Sequence, residues 1–154
     1  MRRERASQPR SGEKRSKMGA VKVGAMVGDQ ACRFDSKAEY RYALWLEGEK
    51  KAGRVLYWLH HPGSIQIRGF SGKVVCRMEP DFQVWRPSGK IEIHEVKGMA
   101  TAGWRLKRLF YEDEFGAASY VVIDAGWPDE KNGGPRLFDD RRKNRAAKKK
   151  ARRK

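Results

Sequence analysis

The feature of this 154-residue chain that most narrows its fold is a period of two in apolar residues, carried across a turn between Val74 and Lys97. Val74, Cys76 and Met78 alternate towards Asp81, Phe82 and Val84 continue that strand with Trp85, and Pro87-Ser88-Gly89 turns the chain into Ile91-Glu92-Ile93-His94-Glu95-Val96-Lys97. Side chains at i and i+2 of an extended segment share a face, so the pattern predicts a β-hairpin. A hairpin alone cannot bury enough apolar surface, and the flanking sequence supplies its cover.

Upstream, Phe34-Asp35-Ser36-Lys37-Ala38-Glu39 reads as a helix start, with Ser36 as cap and Glu39 three residues later as its reciprocal partner. Tyr40, Ala43 and Leu44 form an apolar stripe that Trp45 and Leu46 widen, and Gly53 stops the helix after Lys50 and Lys51. Val55–Leu59 is a short apolar run of strand type, ended by His60-His61-Pro62-Gly63, and Ile65 and Ile67 alternate before a turn at Ser71-Gly72. Downstream of Gly98, Leu106, Leu109 and Phe110 mark a helix from about Ala102 to Phe115, and Ser119–Ile123 reads as a final strand. The order predicts an α/β (α+β) domain with a central mixed sheet flanked by helices.

Charge divides the chain further. Residues 1–22 hold eight Lys or Arg against two Glu, and residues 139–154 hold ten against two Asp, whereas residues 23–138 are close to balance at seventeen against fifteen. This reads as a basic N-terminal arm (1–22), one folded domain (23–125), a Gly/Pro-rich linker (126–138) and a basic tail (139–154). Such arms suit a polyanionic partner, because each Lys or Arg that meets a phosphate releases counterions. They also serve as localisation signals or keep a protein soluble. Cys32 and Cys76 have neither CxxC pairing nor a histidine at zinc-ligand spacing. No apolar run approaches the roughly 18 residues of a membrane span, and the arginine-rich start lacks the apolar core of a secretory signal. A cytoplasmic location is expected.

The chemistry is concentrated in the hairpin. Hydrolysis of a phosphodiester needs an activated water and positive charge on the phosphate oxygens, and carboxylates holding Mg²⁺ supply both. Glu95 and Lys97 share a strand face, and the hairpin brings Asp81 alongside, so an Asp/Glu/Lys cluster is predicted at one end of the sheet. Lys97 then orients or deprotonates the water, or stabilises charge on the phosphate.

Pro80-Asp81, thirteen intervening residues and Glu95-Val96-Lys97 resemble the signature of the PD-(D/E)XK nuclease superfamily, whose shared core has the order αβββαβ read above over residues 34–123. Phe34–Glu39, Asp81-Phe82, Glu95-Val96-Lys97-Gly98 and Trp104-Arg105-Leu106-Lys107-Arg108-Leu109-Phe110 look, more narrowly, like small phage-encoded proteins related to Holliday-junction resolvases. The resemblance implies a restriction-endonuclease-like core and a Mg²⁺-dependent endodeoxyribonuclease, with Mn²⁺ as a substitute metal. It further implies action on branched or junction DNA in phage recombination or DNA processing, a homodimer, and the bacterial host cytoplasm. It nominates Glu39 beside Asp81 and Glu95 as metal ligands, and Lys97 as the catalytic base or phosphate stabiliser. Arg105, Lys107 and Arg108 on the second helix, and Arg141, Arg142 and Lys143 in the tail, are the DNA-binding candidates.

Each residue also has a plainer role. Glu39 completes a capping box, Glu95 and Lys97 suit an exposed sheet face, and Glu79 is a rival ligand or a surface charge. His94 faces away from Glu95 as a packed or exposed imidazole, and His60 and His61 read as structural. Arg105, Lys107 and Arg108 also suit a solvated helix face. Two further functions fit: a non-catalytic nucleic-acid-binding protein acting through its arms, and a restriction- or transposase-type endonuclease that needs a partner subunit.

Overall fold

Alternating strands need a neighbouring strand and a cover for their apolar face, and a computed structural model describing residues 21–127 and 134–138 provides both. In chain order it contains β1 (Val23–Val27), β2 (Gln30–Phe34), α1 (Lys37–Lys51), β3 (Tyr57–His60), β4 (Ile65–Arg68), β5 (Val74–Met78), β6 (Phe82–Trp85), β7 (Ile91–Lys97), α2 (Ala102–Phe115), a 3₁₀ turn (Ala117–Ser119) and β8 (Tyr120–Asp124). A four-stranded sheet runs β3-β6-β7-β8. Its first three strands are antiparallel and β8 is parallel to β7, so the sheet is mixed and the class is α+β.

Helix α1 forms where the capping signal stands. Ser36 Oγ accepts from the Glu39 N–H at 3.1 Å, and the Glu39 carboxylate accepts from Ser36 Oγ at 2.8 Å and the Asp35 N–H at 3.0 Å. Helix α2 is capped by Thr101 Oγ1, which accepts from the Trp104 N–H at 3.2 Å. The two helices lie on opposite sheet faces, because each contacts alternate residues of the same strands. Tyr42, Ala43 and Leu46 of α1 pack with Trp58, Phe82, Val84 and Ile123, whereas Trp104 and Tyr111 of α2 pack with Ile93, Tyr120 and Val122.

Three features depart from the sequence reading. A hairpin, β1-β2, precedes the first expected element and packs Val27 and Phe34 against α1. Its two-residue turn requires the left-handed Gly28 (φ 60°). The strand expected to run from Val74 to Trp85 is two strands. Pro80 has no N–H to continue a ladder, so β5 pairs with β4 in a separate hairpin and β6 joins the central sheet. Part of the expected linker also extends the sheet: the Asp124 N–H donates to Arg136 O at 2.9 Å and the Phe138 N–H to Val122 O at 2.8 Å. The rest of the expected linker and nearly all of both basic arms, including Arg141, Arg142 and Lys143, lie outside the described residues. Among those described, no helix is long and apolar enough to cross a membrane.

A buried polar chain ties α1 to β7. Tyr42 Oη lies 2.6 Å from His94 Nδ1, His94 Nε2 lies 3.0 Å from Glu92, and Glu92 also accepts from Arg86 at 2.7 Å and Lys90 at 2.9 Å. His94 is fully buried, and burial pushes its pKa down. The hydrogen bond from His94, with those from Lys90 and Arg86, holds Glu92 well below the usual carboxylate range. A neutral imidazole satisfies the whole chain, with Nε2–H donating to Glu92 and Nδ1 accepting from the tyrosine hydroxyl. Tyr42→Phe would leave that nitrogen buried and unpaired, so it should lower stability by about 1–3 kcal/mol. Urea unfolding should show a lower midpoint at unchanged slope, and an unshifted midpoint would contradict this role.

Candidate functional site

The pairing of β6 with β7 places Phe82 opposite His94, so one further step along the same register sets Asp81 opposite Glu95. Pro80 ends the preceding strand, which frees the Asp81 carboxylate to turn in and accept from the Val96 N–H at 2.7 Å. Glu95 and Lys97 project towards α2. Lys97 Nζ donates to Glu95 Oε1 at 2.5 Å, and the Tyr120 hydroxyl donates to Oε2 at 2.9 Å. The Lys97 ammonium also lies 5.2 Å from the centre of the Trp104 ring. Glu95, Lys97 and Trp104 open onto a cleft of about 490 Å³ that Arg77, Glu79 and Lys107 also line. A neighbouring cleft of about 270 Å³ is lined by Asp35, His61, Glu79 and Asp81 among others, so Glu79 lies between the two.

Electrostatics mark the junction of these clefts. Burial first, and then the negative charges of Glu39 and Glu95, push Asp81 up to about 8, against the opposing influence of the Val96 N–H and Lys97. Burial and the charge of Glu95 likewise raise Tyr120. Such crowding of carboxylates is relieved by a proton or by a bound cation.

Of the residues nominated from sequence, Glu95 and Lys97 lie on β7, and Asp81, in the turn just before β6, comes alongside them. Glu39 approaches from the α1 side, where its carboxylate also completes the capping box. Lys107 lines the larger cleft. Arg108 turns instead to Glu112, at 2.6 Å, and stacks over Trp104 and Tyr120, so it stiffens the platform behind Glu95. Arg105 is half-buried on the same helix. His94 is a packed, hydrogen-bonded imidazole.

Sequence reasoning passed over several contributors. Tyr120 falls in the expected last strand and Trp104 opens the motif on the second helix, and neither carries a site role from sequence, yet one holds Glu95 and the other lies beneath Lys97. Asp124, paired in register with Lys97, is buried and accepts from Arg136 at 3.0 Å. His60 and His61 read as structural, but ligand atoms of Glu39, His60 and His61 all lie within 4.8 Å of one another. Among the described residues this is the set of three that meets so closely, and it does not include Asp81 or Glu95.

A raised Asp81 has a defined consequence for stability. Between its unfolded pKa, near 3.8, and its folded value of about 8, the native state binds a proton that the unfolded chain has released. This contribution to stability is full below the lower value and is lost as pH rises through the upper one. Asp81→Asn mimics the protonated carboxyl. In metal-free buffer the difference in melting temperature, variant minus wild type, should therefore grow from pH 4 to pH 8. A difference that is flat across this window would contradict the crowding.

The family model described as "Protein of unknown function (DUF1064)" matches residues 15–128. Neither the curated proteins nor the solved structures yield a match. The matched stretch spans the whole four-stranded sheet, both helices, and Glu39, Asp81, Glu95 and Lys97, and the chain belongs to this DUF1064 family.

Proposed function

We propose that this protein is a Mg²⁺-dependent endodeoxyribonuclease, with Mn²⁺ able to substitute, that hydrolyses phosphodiester bonds in branched or junction DNA. The observation that carries the reading is the convergence of Glu95 and Lys97 of β7 with Asp81, at the entry to the paired strand β6, with Asp81 crowded by Glu39 and Glu95. Asp81, Glu95 and Glu39 are the oxygen donors that would hold the cation, a hard-ligand set suited to Mg²⁺. The bound cation would supply Lewis acidity to the phosphate and lower the pKa of the attacking water. The chain's own residues do the remainder. The Val96 N–H orients Asp81, Tyr120 holds Glu95, and Lys97 either takes the water's proton or faces the phosphate.

Arg77 and Lys107 line the same cleft as Glu95 and Lys97, which supports a phosphodiester chain as the occupant. Phe70 supports a substrate with unstacked bases. It is wholly exposed at the β4-β5 turn, between Arg68 and Lys73, where an aromatic ring gains by stacking on an open base. The basic arms add affinity without sequence information. Paired cuts across a junction favour a two-fold homodimer in the host cytoplasm.

Incubation of the purified chain with labelled junction, flap, duplex and single-stranded DNA tests the reading. Cleavage should require Mg²⁺ or Mn²⁺, stop with EDTA, prefer the junction or flap, and fall by roughly 10²-fold or more in Asp81→Ala and in Lys97→Ala. Cleavage that survives both substitutions, or binding without cleavage under every metal condition, would overturn it.

A further inference from the structure

His60 ends β3 with its ring wedged between Phe34, at 4.5 Å between ring centres, and Phe82, at 5.2 Å. Its side chain is only 5% exposed, and its Nε2 is buried with no hydrogen-bond partner. The facing oxygen, Glu39 Oε2, lies 3.7 Å away, too far for a hydrogen bond. A buried polar atom without a partner costs stability, so one aimed at a carboxylate across such a gap points to something that sits between them.

The next residue strengthens the case. Neighbouring side chains of a strand point to opposite faces, and so two consecutive histidines do not ordinarily reach one ion. His61 escapes that rule because its backbone is left-handed (φ 46°) and its N–H donates to Asp81 O at 2.9 Å. The ring is thereby turned back onto His60, with centroids 3.8 Å apart and planes at 23°. His61 is exposed and lines the 270 Å³ cleft, which gives an ion a route in. Glu39 already accepts from Ser36 and the Asp35 N–H, but an ionised carboxylate has about four acceptor sites, and capacity remains.

We propose that Glu39, His60 and His61 form a binding site for a first-row transition-metal dication. Two imidazoles and one carboxylate favour such an ion over Mg²⁺, which prefers oxygen ligands alone. Three protein ligands leave a coordination position for water. The site shares Glu39 with the acidic set but does not depend on nuclease activity.

The test uses the full chain without a histidine tag, stripped with EDTA and titrated with Co²⁺ alone and with Mg²⁺ alone, by calorimetry and visible absorption. The sequence has three histidines, and the third, His94, is enclosed by Tyr42 and Glu92, so a histidine-dependent signal reports on this pair. Co²⁺ should bind more tightly than Mg²⁺ and develop nitrogen-ligated absorption bands. His61→Asn, which keeps a residue tolerant of positive φ at an exposed position, should weaken Co²⁺ binding on the order of tenfold or more, with Mg²⁺ binding and the metal-free melting temperature unchanged. His60→Gln should weaken Co²⁺ binding as well. Co²⁺ held no tighter than Mg²⁺, or a Co²⁺ isotherm unchanged in both variants, overturns the site. That failure is separable from failure of the nuclease reading, which is decided by cleavage in Asp81→Ala and Lys97→Ala.

Discussion

The candidate site depends on one strand pairing. The register that sets Phe82 against His94 determines which residues lie at the ends of β6 and β7, and a slip of one position would exchange the two faces of β7. Asp81 would no longer stand across from Glu95, and Lys97 would leave the α2 face. The pairing is held on the α1 side by two fully buried side chains, Phe82 packed among Tyr42 and Trp58, and His94 hydrogen-bonded to Tyr42 and Glu92. A buried polar network is satisfied in few arrangements, so it specifies register more sharply than apolar packing alone.

The two faces of β7 therefore divide the labour. Glu92, His94 and Val96 look towards α1 and secure the strand, while Ile93, Glu95 and Lys97 look towards α2, the first in its core and the others at the cleft. Tyr120 and Trp104 then constrain Glu95 and Lys97 from β8 and α2. Glu95 and Lys97, carried on a sheet strand and supported by packed aromatic side chains, are better fixed than the same groups on a loop would be.

Much of this was legible in the sequence where a local rule governs the outcome. Ser36 with Glu39, the alternation through β7, and the span from Ala102 to Phe115 are each decided by neighbours within a few residues. Asp81, Glu95 and Lys97 were legible because period-two geometry and a hairpin turn suffice to bring them together. The break between β5 and β6 was misread because alternation outweighed Pro80, although a missing N–H is the stronger signal in mid-sheet. The β1-β2 hairpin was within reach through Val23, Ala25, Val27 and the Gly28-Asp29 turn. What lay beyond reach was the non-local part: Tyr120 reaching Glu95, residues 136–138 bridging to the side of β8, and a left-handed His61 stacked on His60. Those depend on tertiary contacts that no window of sequence contains.

Carboxylates from α1, β7 and the turn before β6 face one another across a partly buried space, and the nuclease reading requires a divalent cation to reconcile them. Diffraction from crystals grown with Mn²⁺ and a short DNA duplex, collected at the manganese edge, addresses this directly. The account predicts an anomalous peak within coordinating distance of both Asp81 and Glu95, with a phosphate oxygen beside it. Bound DNA with no cation at those two carboxylates would contradict it.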